Sequence, residues 1–257
     1  MDLKDFETFR QIIAKLRAPG GCPWDRKQTH STLKPYVIEE TYEVLQAIDE
    51  GNRDKLCEEL GDLLLQILLH AQIASEEGTF DISDVIQKIS KKIIHRHPHV
   101  FGKVKVSGAK EVSAQWQRLK REEEEEGISI LDGLPKSMPA LVSCQALQHR
   151  AANVGFDWKE IDGILEKINE ELEELREAKS QRQRVHEFGD IIFALANVAR
   201  WLDVDLEEAL RLANNRFYKR FSHMEGVCRR RGIAIHKLSL EELDALWEEA
   251  KEELSKS

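Results

Sequence analysis

The sequence predicts an all-α protein built as a tandem repeat of two small helical bundles. Glu, Leu, Lys and Ala dominate the chain, and 33% of its residues are charged, a composition typical of helices. Its 14 Gly, 6 Pro and 7% aromatic residues are too few for an all-β sandwich or barrel of 257 residues. Apolar residues recur at helical spacing, and at 41% of the chain they suffice for a buried core, which excludes intrinsic disorder.

Four helices follow in order in the first half of the chain. The first is predicted from one apolar stripe at helical spacing, formed by Phe6, Phe9, Ile12, Ile13 and Leu16. Pro and Gly at 19–21 end it, and a second helix is predicted over 37–50. A third helix over 54–75 is almost wholly apolar on one side. A fourth over 83–97 stops before Pro98, because proline cannot continue a helix.

The second half of the chain repeats landmarks of the first half in the same order. The offsets drift by only a few residues, which is hard to obtain by chance. The matching pairs are 21–24 with 155–158, 39–43 with 170–174, 59–63 with 187–191, 92–96 with 216–220, and Trp116 with Trp247. We interpret the chain as a tandem duplication.

Glycine and proline mark the boundary between the two halves. The Glu run at 122–126 gives way to Gly127, Gly133, Pro135 and Pro139, and such residues end helices and leave a connector. We therefore predict an N-terminal domain over 1–126, a linker over 127–139 and a C-terminal domain over 140–257.

Charge and composition also exclude several classes of protein. The formal net charge of −9 and the lack of a long basic stripe argue against nucleic-acid binding, which needs clustered Lys and Arg. The amino terminus does not resemble a secretory signal, and no apolar stretch approaches the about 20 residues that a membrane helix needs. The four cysteines form no CxxC pair. We expect a cytoplasmic protein that binds neither nucleic acid nor membrane.

Acidic residues cluster at two places in each half. Glu39, Glu40 and Glu43 share one helix face, although solvated helices often carry such groups. Asp62 and Asp190 are more informative, because each lies on the apolar side of its helix. Burial of an unpaired carboxylate costs several kcal/mol, so these groups need a partner, a proton or a metal ion.

A glutamate lies one turn before each of these aspartates, at Glu59 and Glu187. Two helices that direct such side chains inward would crowd four or five carboxylates together, an arrangement that requires cations. Oxygen ligands without Cys or His favour Mg²⁺ or Mn²⁺ over zinc. Gly61 and Gly189 stand mid-helix beside these residues, where glycine costs about 1 kcal/mol relative to Ala. We expect close packing against a neighbouring helix or a ligand there.

The acidic pattern resembles the signature of the MazG-type nucleoside triphosphate pyrophosphohydrolases, an all-α family related to dimeric dUTPases. That signature is Glu-Glu-x-x-Glu followed, after a variable interval, by Glu-x-x-Asp. The interval is 15 residues (44–58) in the first half and 12 residues (175–186) in the second. Gly-Cys-Pro-Trp-Asp at 21–25 and His-Arg-His-Pro-His-Val-Phe-Gly at 95–102 extend the resemblance to two-domain members of the family.

The resemblance implies hydrolysis of NTPs and dNTPs to nucleoside monophosphate and pyrophosphate with Mg²⁺, for which Mn²⁺ could substitute. It also implies a homodimer, broad use of nucleotides, and a role in nucleotide-pool cleaning or stress-linked nucleotide control. By motif position the metal ligands would be Glu40, Glu43, Glu59, Asp62, Glu171, Glu174, Glu187 and Asp190. Glu39 and Glu170 would orient or deprotonate the attacking water. The C-terminal domain is the main catalytic candidate, although the first half is also motif-complete.

Basic and aromatic residues complete the predicted site. Basic side chains on one helix face suit phosphate groups, but cations near a helix C-terminus also complement the helix dipole. A tryptophan can stack on a nucleobase, although tryptophans more often belong to a core. The predicted substrate-binding residues are Lys92, Arg96, Lys167, Arg184, Arg216, Lys219, Arg220 and Trp247.

Two alternatives to this enzyme remain at the level of sequence. A di-iron carboxylate bundle would need Glu-x-x-His pairs, and the chain contains none. A non-catalytic nucleotide-binding module, or a helical regulatory or dimerisation module, is the other alternative. Loss of Mg²⁺-dependent turnover in acidic-residue variants would distinguish the enzyme from such a module.

Overall fold

The structure is a computed structural model that describes residues 2–122 and 129–255. Over these residues the regular secondary structure is helical and contains no strand, which confirms the all-α fold class. The chain divides into two compact units, unit 1 (Met1–Glu125) and unit 2 (Glu126–Ser257). The predicted domain end at 126 and linker start at 127 lie outside the described residues, and turns precede the first helix of unit 2.

The described residues of unit 1 form six α-helices, of which α2 and α3 are the longest. They are α1 (Phe6–Arg17), α2 (His30–Asp49), α3 (Arg53–Glu76), α4 (Ile82–Arg96), α5 (Pro98–Phe101) and α6 (Ala109–Glu122). Helix α2 begins seven residues before its predicted start. Thr29 and Thr32 form a capping box there, and Pro35 lies inside the helix without ending it. The capping box and the extensive packing of α2 against α3 together offset the hydrogen bond that the proline removes.

Unit 2 repeats this order with five α-helices over residues 129–255. They are α7 (Ala140–Ala152), α8 (Ile161–Glu177), α9 (Gln181–Trp201), α10 (Leu206–Arg231) and α11 (Leu240–Leu254). The most extensive helix pair is α2 with α3 in unit 1 and α8 with α9 in unit 2. The helices that carry the two parts of the acidic motif are therefore packed side by side in both units.

Each unit has its own apolar core. The core of unit 1 forms where α1, α2, α3 and α4 meet, around Ile13, Leu33, Leu68, Leu69 and Ile82. A core in unit 2 joins α10 and α11 through Met224, Val227, Cys228, Leu246 and Ala250. No helix within the described ranges is long and apolar enough to cross a membrane.

An arginine and a tryptophan form the same contact in both units. The guanidinium of Arg96 lies 5.2 Å from the ring centroid of Trp116, and that of Arg220 lies 5.5 Å from that of Trp247. These four residues were paired in the alignment of the two halves. The repeated contact supports the tandem duplication, because a chance sequence match would not also reproduce a cation–π pair.

We predicted that Gly61 and Gly189 pack closely against a neighbouring helix or a ligand. For the neighbouring helices of this chain, the prediction is wrong. A Cβ atom built at either position meets nothing within 4 Å among the described residues. The adjacent side chains Leu60 and Phe188 are 50% and 58% exposed. Both glycines therefore lie on open helix faces rather than at a tight helix crossing.

Candidate active site

Helices α2 and α3 bring three acidic side chains of unit 1 together. Ligand oxygens of Glu40, Glu59 and Asp62 lie within 4.8 Å of one another. Glu59 is buried, and Glu40 and Asp62 are half-buried. Gln66, one turn after Asp62, donates from Nε2 to Glu40 Oε1 over 3.5 Å. We call these three carboxylates the unit 1 cluster.

The carboxylates of the unit 1 cluster destabilise one another's charged forms. Burial, and then the charges of Asp62 and Glu43, raise the pKa of Glu40. Burial and the charge of Glu43 likewise raise the pKa of Glu59. A bound cation would relieve both effects, because it attracts all of these groups at once. Glu39, predicted to act on water, is exposed on the neighbouring turn of α2.

The corresponding residues of unit 2 form two overlapping groups around Glu187. Ligand oxygens of Glu171, Glu174 and Glu187 lie within 4.8 Å of one another. A second group within the same distance joins Glu187 to His186 and Asp190. We call these five residues the unit 2 cluster. Burial, and then the charges of Glu171 and Glu187, raise the pKa of Glu174.

Lys167 lies against the unit 2 cluster and partly neutralises it. Its Nζ atom is 2.9 Å from Glu170 Oε1 and 2.7 Å from Glu171 Oε1. Hydrogen bonds to Glu171 and Glu170 raise the pKa of Lys167, so the lysine stays charged. This contact places Lys167, one of the predicted substrate-binding residues, beside the unit 2 cluster. It also places the exposed carboxylate of Glu170 beside the cluster.

The buried carboxylate of Glu171 tests whether a metal ion fits this position. The residue is 4% exposed, and Lys167 binds only its Oε1 atom. The Oε2 atom is buried and has no hydrogen-bond partner among the residues described. A carboxylate oxygen without a partner is costly to bury, whereas a hard divalent cation prefers oxygen ligands of this kind. The residues present therefore fit Mg²⁺ or Mn²⁺.

His186 belongs to the unit 2 cluster and was missed in the sequence. Its Nδ1 atom lies 2.7 Å from Asp190 Oδ2 and 3.9 Å from Glu187 Oε2. The charge of Asp190, together with this hydrogen bond, raises the pKa of His186. The sequence carries a signal for the contact, because residues four apart are neighbours on a helix. The assumption of an all-oxygen site obscured it.

A cavity of about 1250 Å³ adjoins the unit 2 cluster. It is bounded by α7, α8, α9 and the segment between α7 and α8. Lys167, Glu171 and Asp190 contribute charged groups to its wall, and Trp158 and Phe193 contribute aromatic rings. Residues of the unit 2 cluster therefore form one part of the cavity wall, and aromatic rings form another part.

Asp157 fixes the segment that carries Trp158. Its carboxylate accepts hydrogen bonds from both terminal nitrogens of Arg200 and from Trp201 Nε1, the latter over 3.2 Å. Burial opposes the charged form of Asp157, but the hydrogen bonds from Arg200 and Trp201 outweigh it and lower its pKa. The N–H of Trp158 also donates to Asp157 Oδ1 over 2.8 Å. The tryptophan is thereby held against α9.

The structure does not bring every predicted substrate-binding residue to this cavity. Arg216, Lys219 and Arg220 on α10 and Trp247 on α11 are absent from its lining. The ring centroid of Trp247 lies 5.3 Å from that of Phe217, and the side chain packs on the α10–α11 core. These residues form a separate group within unit 2.

The remaining predicted basic residues are also spread over the fold. Arg184 is exposed on α9, one turn before Glu187. Lys92 lines a shallow cavity of about 300 Å³ along α4, and Arg96 is buried against Trp116. Lys167, by contrast, contacts the acidic motif residues Glu170 and Glu171 directly.

Known proteins match this chain at high identity. The family described as the MazG nucleotide pyrophosphohydrolase domain matches residues 28–101. The nucleoside triphosphate pyrophosphohydrolase/pyrophosphatase MazG of Thermotoga maritima is 48% identical over 247 residues, which cover 96% of this chain and 95% of that protein.

Two further relatives extend the comparison. The nucleoside triphosphate pyrophosphohydrolase of Escherichia coli K12 is 42% identical over 257 residues, covering 97% of this chain and 98% of that protein. The uncharacterized protein YabN of Bacillus subtilis is 50% identical over 253 residues, which cover 96% of this chain and 52% of YabN. The similarity therefore spans both units.

Proposed function

This chain belongs to the MazG family of nucleotide pyrophosphohydrolases, and we propose that it hydrolyses nucleoside triphosphates to nucleoside monophosphate and pyrophosphate with Mg²⁺. One observation carries the proposal for this chain's own residues. Glu171 is buried with an unpartnered oxygen beside Glu174 and Glu187, on the helix pair that bears the complete acidic motif. Such an arrangement suits a divalent cation and the polyphosphate that the cation would bind.

The proposed metal ligands are the motif residues of both units. They are Glu171, Glu174, Glu187 and Asp190 in unit 2, and Glu40, Glu43, Glu59 and Asp62 in unit 1. Mg²⁺, or Mn²⁺ in its place, would offset the charge of the triphosphate and the charge that develops on the phosphoryl oxygens during reaction. His186 would orient Asp190 through the 2.7 Å contact.

The reaction itself needs an attacking water and a proton acceptor. Water attacks the α-phosphorus, the bond from that phosphorus to the bridging oxygen breaks, and pyrophosphate leaves with the bonding electrons. Glu170 in unit 2, and Glu39 in unit 1, would orient the water and accept its proton. Lys167 would hold Glu170 in place, because its ammonium group lies 2.9 Å from that carboxylate. The predicted substrate-binding residues of α10 are Arg216, Lys219 and Arg220. Together with Trp247 on α11, they would contact the parts of the substrate that extend past the unit 2 cluster.

The proposed activity accepts ribonucleotides and deoxyribonucleotides of several bases. Such breadth would suit nucleotide-pool cleaning or stress-linked control of nucleotides in the cytoplasm. A more than hundredfold preference in kcat/KM for one nucleotide would contradict this breadth.

We also propose that the protein works as a homodimer. Several large apolar side chains of unit 2 are exposed, among them Val185, Phe188, Phe217 and Tyr218, at 65%, 58%, 59% and 71%. Large exposed apolar side chains on helices are typical of faces that another chain covers. Sedimentation equilibrium should give twice the mass of the chain, and a monomer at micromolar concentration would contradict the proposal.

Product analysis tests the proposed reaction directly. The protein is incubated with each of the eight common NTPs and dNTPs and Mg²⁺, and the products are separated by ion-exchange chromatography. Glu43→Ala and Glu174→Ala are compared with the wild type. Glu173→Ala serves as a control, because Glu173 is exposed and pairs with Arg176 on the same helix.

The products distinguish the alternatives. Nucleoside monophosphate with pyrophosphate, lost in one of the two variants and kept in the control, supports the proposal and identifies the working unit. Nucleoside diphosphate with phosphate would contradict attack at the α-phosphorus, because those products require attack at a different phosphorus. Tight nucleotide binding without turnover would favour the non-catalytic module.

A further inference from the structure

Two histidines of unit 1 contact each other outside the acidic cluster. His30 is the first residue of α2, and His70 lies toward the end of α3. Their Nδ1 atoms are 2.7 Å apart, and both residues are half-buried. The proposed reaction uses neither of them. We call these two residues the histidine pair.

The geometry of the histidine pair is that of a hydrogen bond lying in the plane of both rings. The ring centroids are 5.0 Å apart, and the ring planes differ by 8°. This separation is close to the distance between the Nδ1 atoms plus the radii of the two rings, so the centroids and both nitrogens lie nearly on one line. Each Nδ1 atom therefore points its lone pair or its proton directly at the other nitrogen, and the rings meet edge to edge.

Such a contact accommodates one proton between the two nitrogens but not two. In a neutral imidazole one nitrogen donates and the other accepts, whereas both nitrogens of a charged imidazolium donate. While at least one ring is neutral, one Nδ1 atom can donate and the other can accept. If both rings are charged, two N–H groups face each other across 2.7 Å and two positive charges repel. Double protonation therefore breaks the contact.

The nearest charged groups favour a first proton on His30 and a neutral His70. Glu77, just after α3, has its Oε2 atom 3.8 Å from His30 Nε2. The N-terminus of α2 disfavours a positive charge on His30, and this carboxylate offsets part of that effect. Burial, and then the charge of His30, lower the pKa of His70. His70 is therefore the ring that resists protonation in the folded chain.

Other charged groups lie on the elements around the histidine pair. Arg17 of α1 donates to the carbonyl oxygen of Gln28, two residues before His30, and Glu76 pairs with its guanidinium group. Arg17 adds to the cost of a second positive charge, and Glu76 reduces that addition. The remaining charged side chains near the pair along the chain are the exposed Lys34 on α2 and, at the start of α4, Asp81 and Asp84, whose carboxylates cap that helix.

Unit 2 has apolar residues at the equivalent positions. The match of 39–43 with 170–174 sets Ile161 opposite His30, and the match of 59–63 with 187–191 sets Val198 opposite His70. Ile161 is likewise the first residue of its helix, α8. Neither Ile161 nor Val198 can bind a proton. The same junction of unit 2 is therefore independent of pH as far as these two side chains are concerned.

We propose that the histidine pair is a pH-sensitive contact that holds the start of α2 against α3 and releases it when both rings are protonated. Pro35 favours such a release, because it lacks the N–H that would join the first turn of α2 to the rest of the helix. The opened state binds a proton that His70 rejects in the closed state. The contribution of the pair to stability is therefore present above about pH 6.5 and is lost as the pH falls below that value.

Hydrogen exchange of the full chain, followed by mass spectrometry in EDTA, tests this proposal at pH 7.5 and pH 5.5. Protection is corrected for the intrinsic exchange rate at each pH. In peptides that cover 30–35 and 66–74, protection should fall about tenfold at pH 5.5, because the opened His70 titrates about one pH unit above that value. In peptides that cover 161–166 and 194–202, protection should stay within about twofold.

A double variant, His30→Ile with His70→Val, installs the apolar residues of unit 2 and should abolish the loss of protection in unit 1. His236→Val is the control, because His236 is exposed between α10 and α11. It should keep the tenfold loss of the wild type. Protection in unit 1 that does not fall at pH 5.5, that falls equally in both units, or that still falls in the double variant would overturn the proposal.

NMR of the wild type provides a second measurement that does not depend on the folding of a variant. With ¹⁵N-labelled histidine, we expect scalar coupling between the two Nδ1 nuclei at pH 7.5, the signature of a shared proton. At pH 5.5, His70 should still be the neutral tautomer with its proton on Nε2. Absence of the coupling, or titration of His70 at its ordinary pKa of about 6.5, would contradict the proposal.

Discussion

The two units carry the same acidic motif on equivalent helix pairs, but the surroundings of the two clusters differ. In unit 2, Lys167 lies one turn before the motif and contacts Glu170 and Glu171. The same place in unit 1 is occupied by Tyr36, which packs against the apolar core. Within the described part of unit 1, an amide donates to the cluster instead, from Gln66 Nε2 to Glu40 Oε1. A complete motif therefore does not fix the electrostatics of its site.

The segment before the motif is also anchored differently in the two units. In unit 1, the buried Arg17 of α1 donates to the carbonyl oxygens of Asp25 and Gln28 and binds Glu76 at the end of α3. In unit 2, Arg200 on α9 supplies the guanidinium group. Its carboxylate partner, Asp157, belongs to the segment between α7 and α8. Duplicated folds thus keep an arginine–carboxylate anchor while exchanging the elements that supply it.

The largest expected effect comes from removing the equivalent aspartate in each cluster. Asp190→Ala should lower kcat/KM for NTP hydrolysis more than about a hundredfold, because the cluster beside the cavity loses a proposed ligand. Asp62→Ala should leave the activity nearly unchanged, because a more than hundredfold loss in Asp190→Ala would leave unit 1 with only about 1% of the turnover or less. Steady-state pyrophosphate release measures the activity of both variants. Equal losses of activity in the two variants would contradict the expected difference between the units.

A second prediction concerns the lysine that distinguishes the clusters. In EDTA, Lys167→Met should melt several degrees below the wild type, because the buried Glu171 carboxylate loses its cation. Mg²⁺ should recover most of this loss, since it supplies a cation to the same group. Differential scanning calorimetry measures the shift.

Lys179→Met is the control for this experiment, because Lys179 is exposed between α8 and α9. It should melt with the wild type in both conditions. An unchanged melting temperature of Lys167→Met in EDTA would show that Glu171 does not need the lysine.

The smallest effect concerns the two anchors and depends on pH. The pKa of Glu76 is lowered first by its hydrogen bond to Arg17, and the pKa of Asp157 is lowered by Arg200 and Trp201 against burial. A carboxyl group with a lowered folded pKa stabilises the fold above its ordinary pKa, about 4, and loses that contribution as the pH falls through the folded value.

Asp157→Asn and Glu76→Gln should each lower the free energy of unfolding at neutral pH by at most about 1 kcal/mol, since both groups are partly exposed. The difference from the wild type should shrink as the pH falls below about 4. Urea denaturation over this range measures it. A difference that grows on acidification would contradict the assigned sign.

Much of the architecture was readable from the sequence. The apolar stripe of α1, the apolar side of α3 and the proline after α4 placed these helices within a residue or two of their observed bounds. The acidic motif placed its members on two adjacent helices. The structure brings ligand oxygens of three members in each unit within 4.8 Å of one another: Glu40, Glu59 and Asp62, and Glu171, Glu174 and Glu187. Local patterns predict such features well, because helix periodicity and capping depend on neighbouring residues.

Features that depend on contacts distant in sequence were missed or misjudged. Nothing in the sequence marked the contact between His30 and His70, which are separated by 40 positions along the chain. Gly61 and Gly189 were expected in close packing and lie on open faces instead. The contacts of the Trp247 ring with Phe217 and Arg220 were also not evident from the sequence, which predicted only a substrate-binding role for this residue.

The sequence by itself determined the all-α class, the duplication and the acidic motif, because each is written in short-range spacing. Only the tertiary structure decided which carboxylate is buried with a free oxygen, which cluster adjoins a cavity, and which tryptophan lines it. Those properties depend on how α7, α8 and α9 pack together. Burial and unsatisfied hydrogen bonds belong to that packing rather than to any one segment.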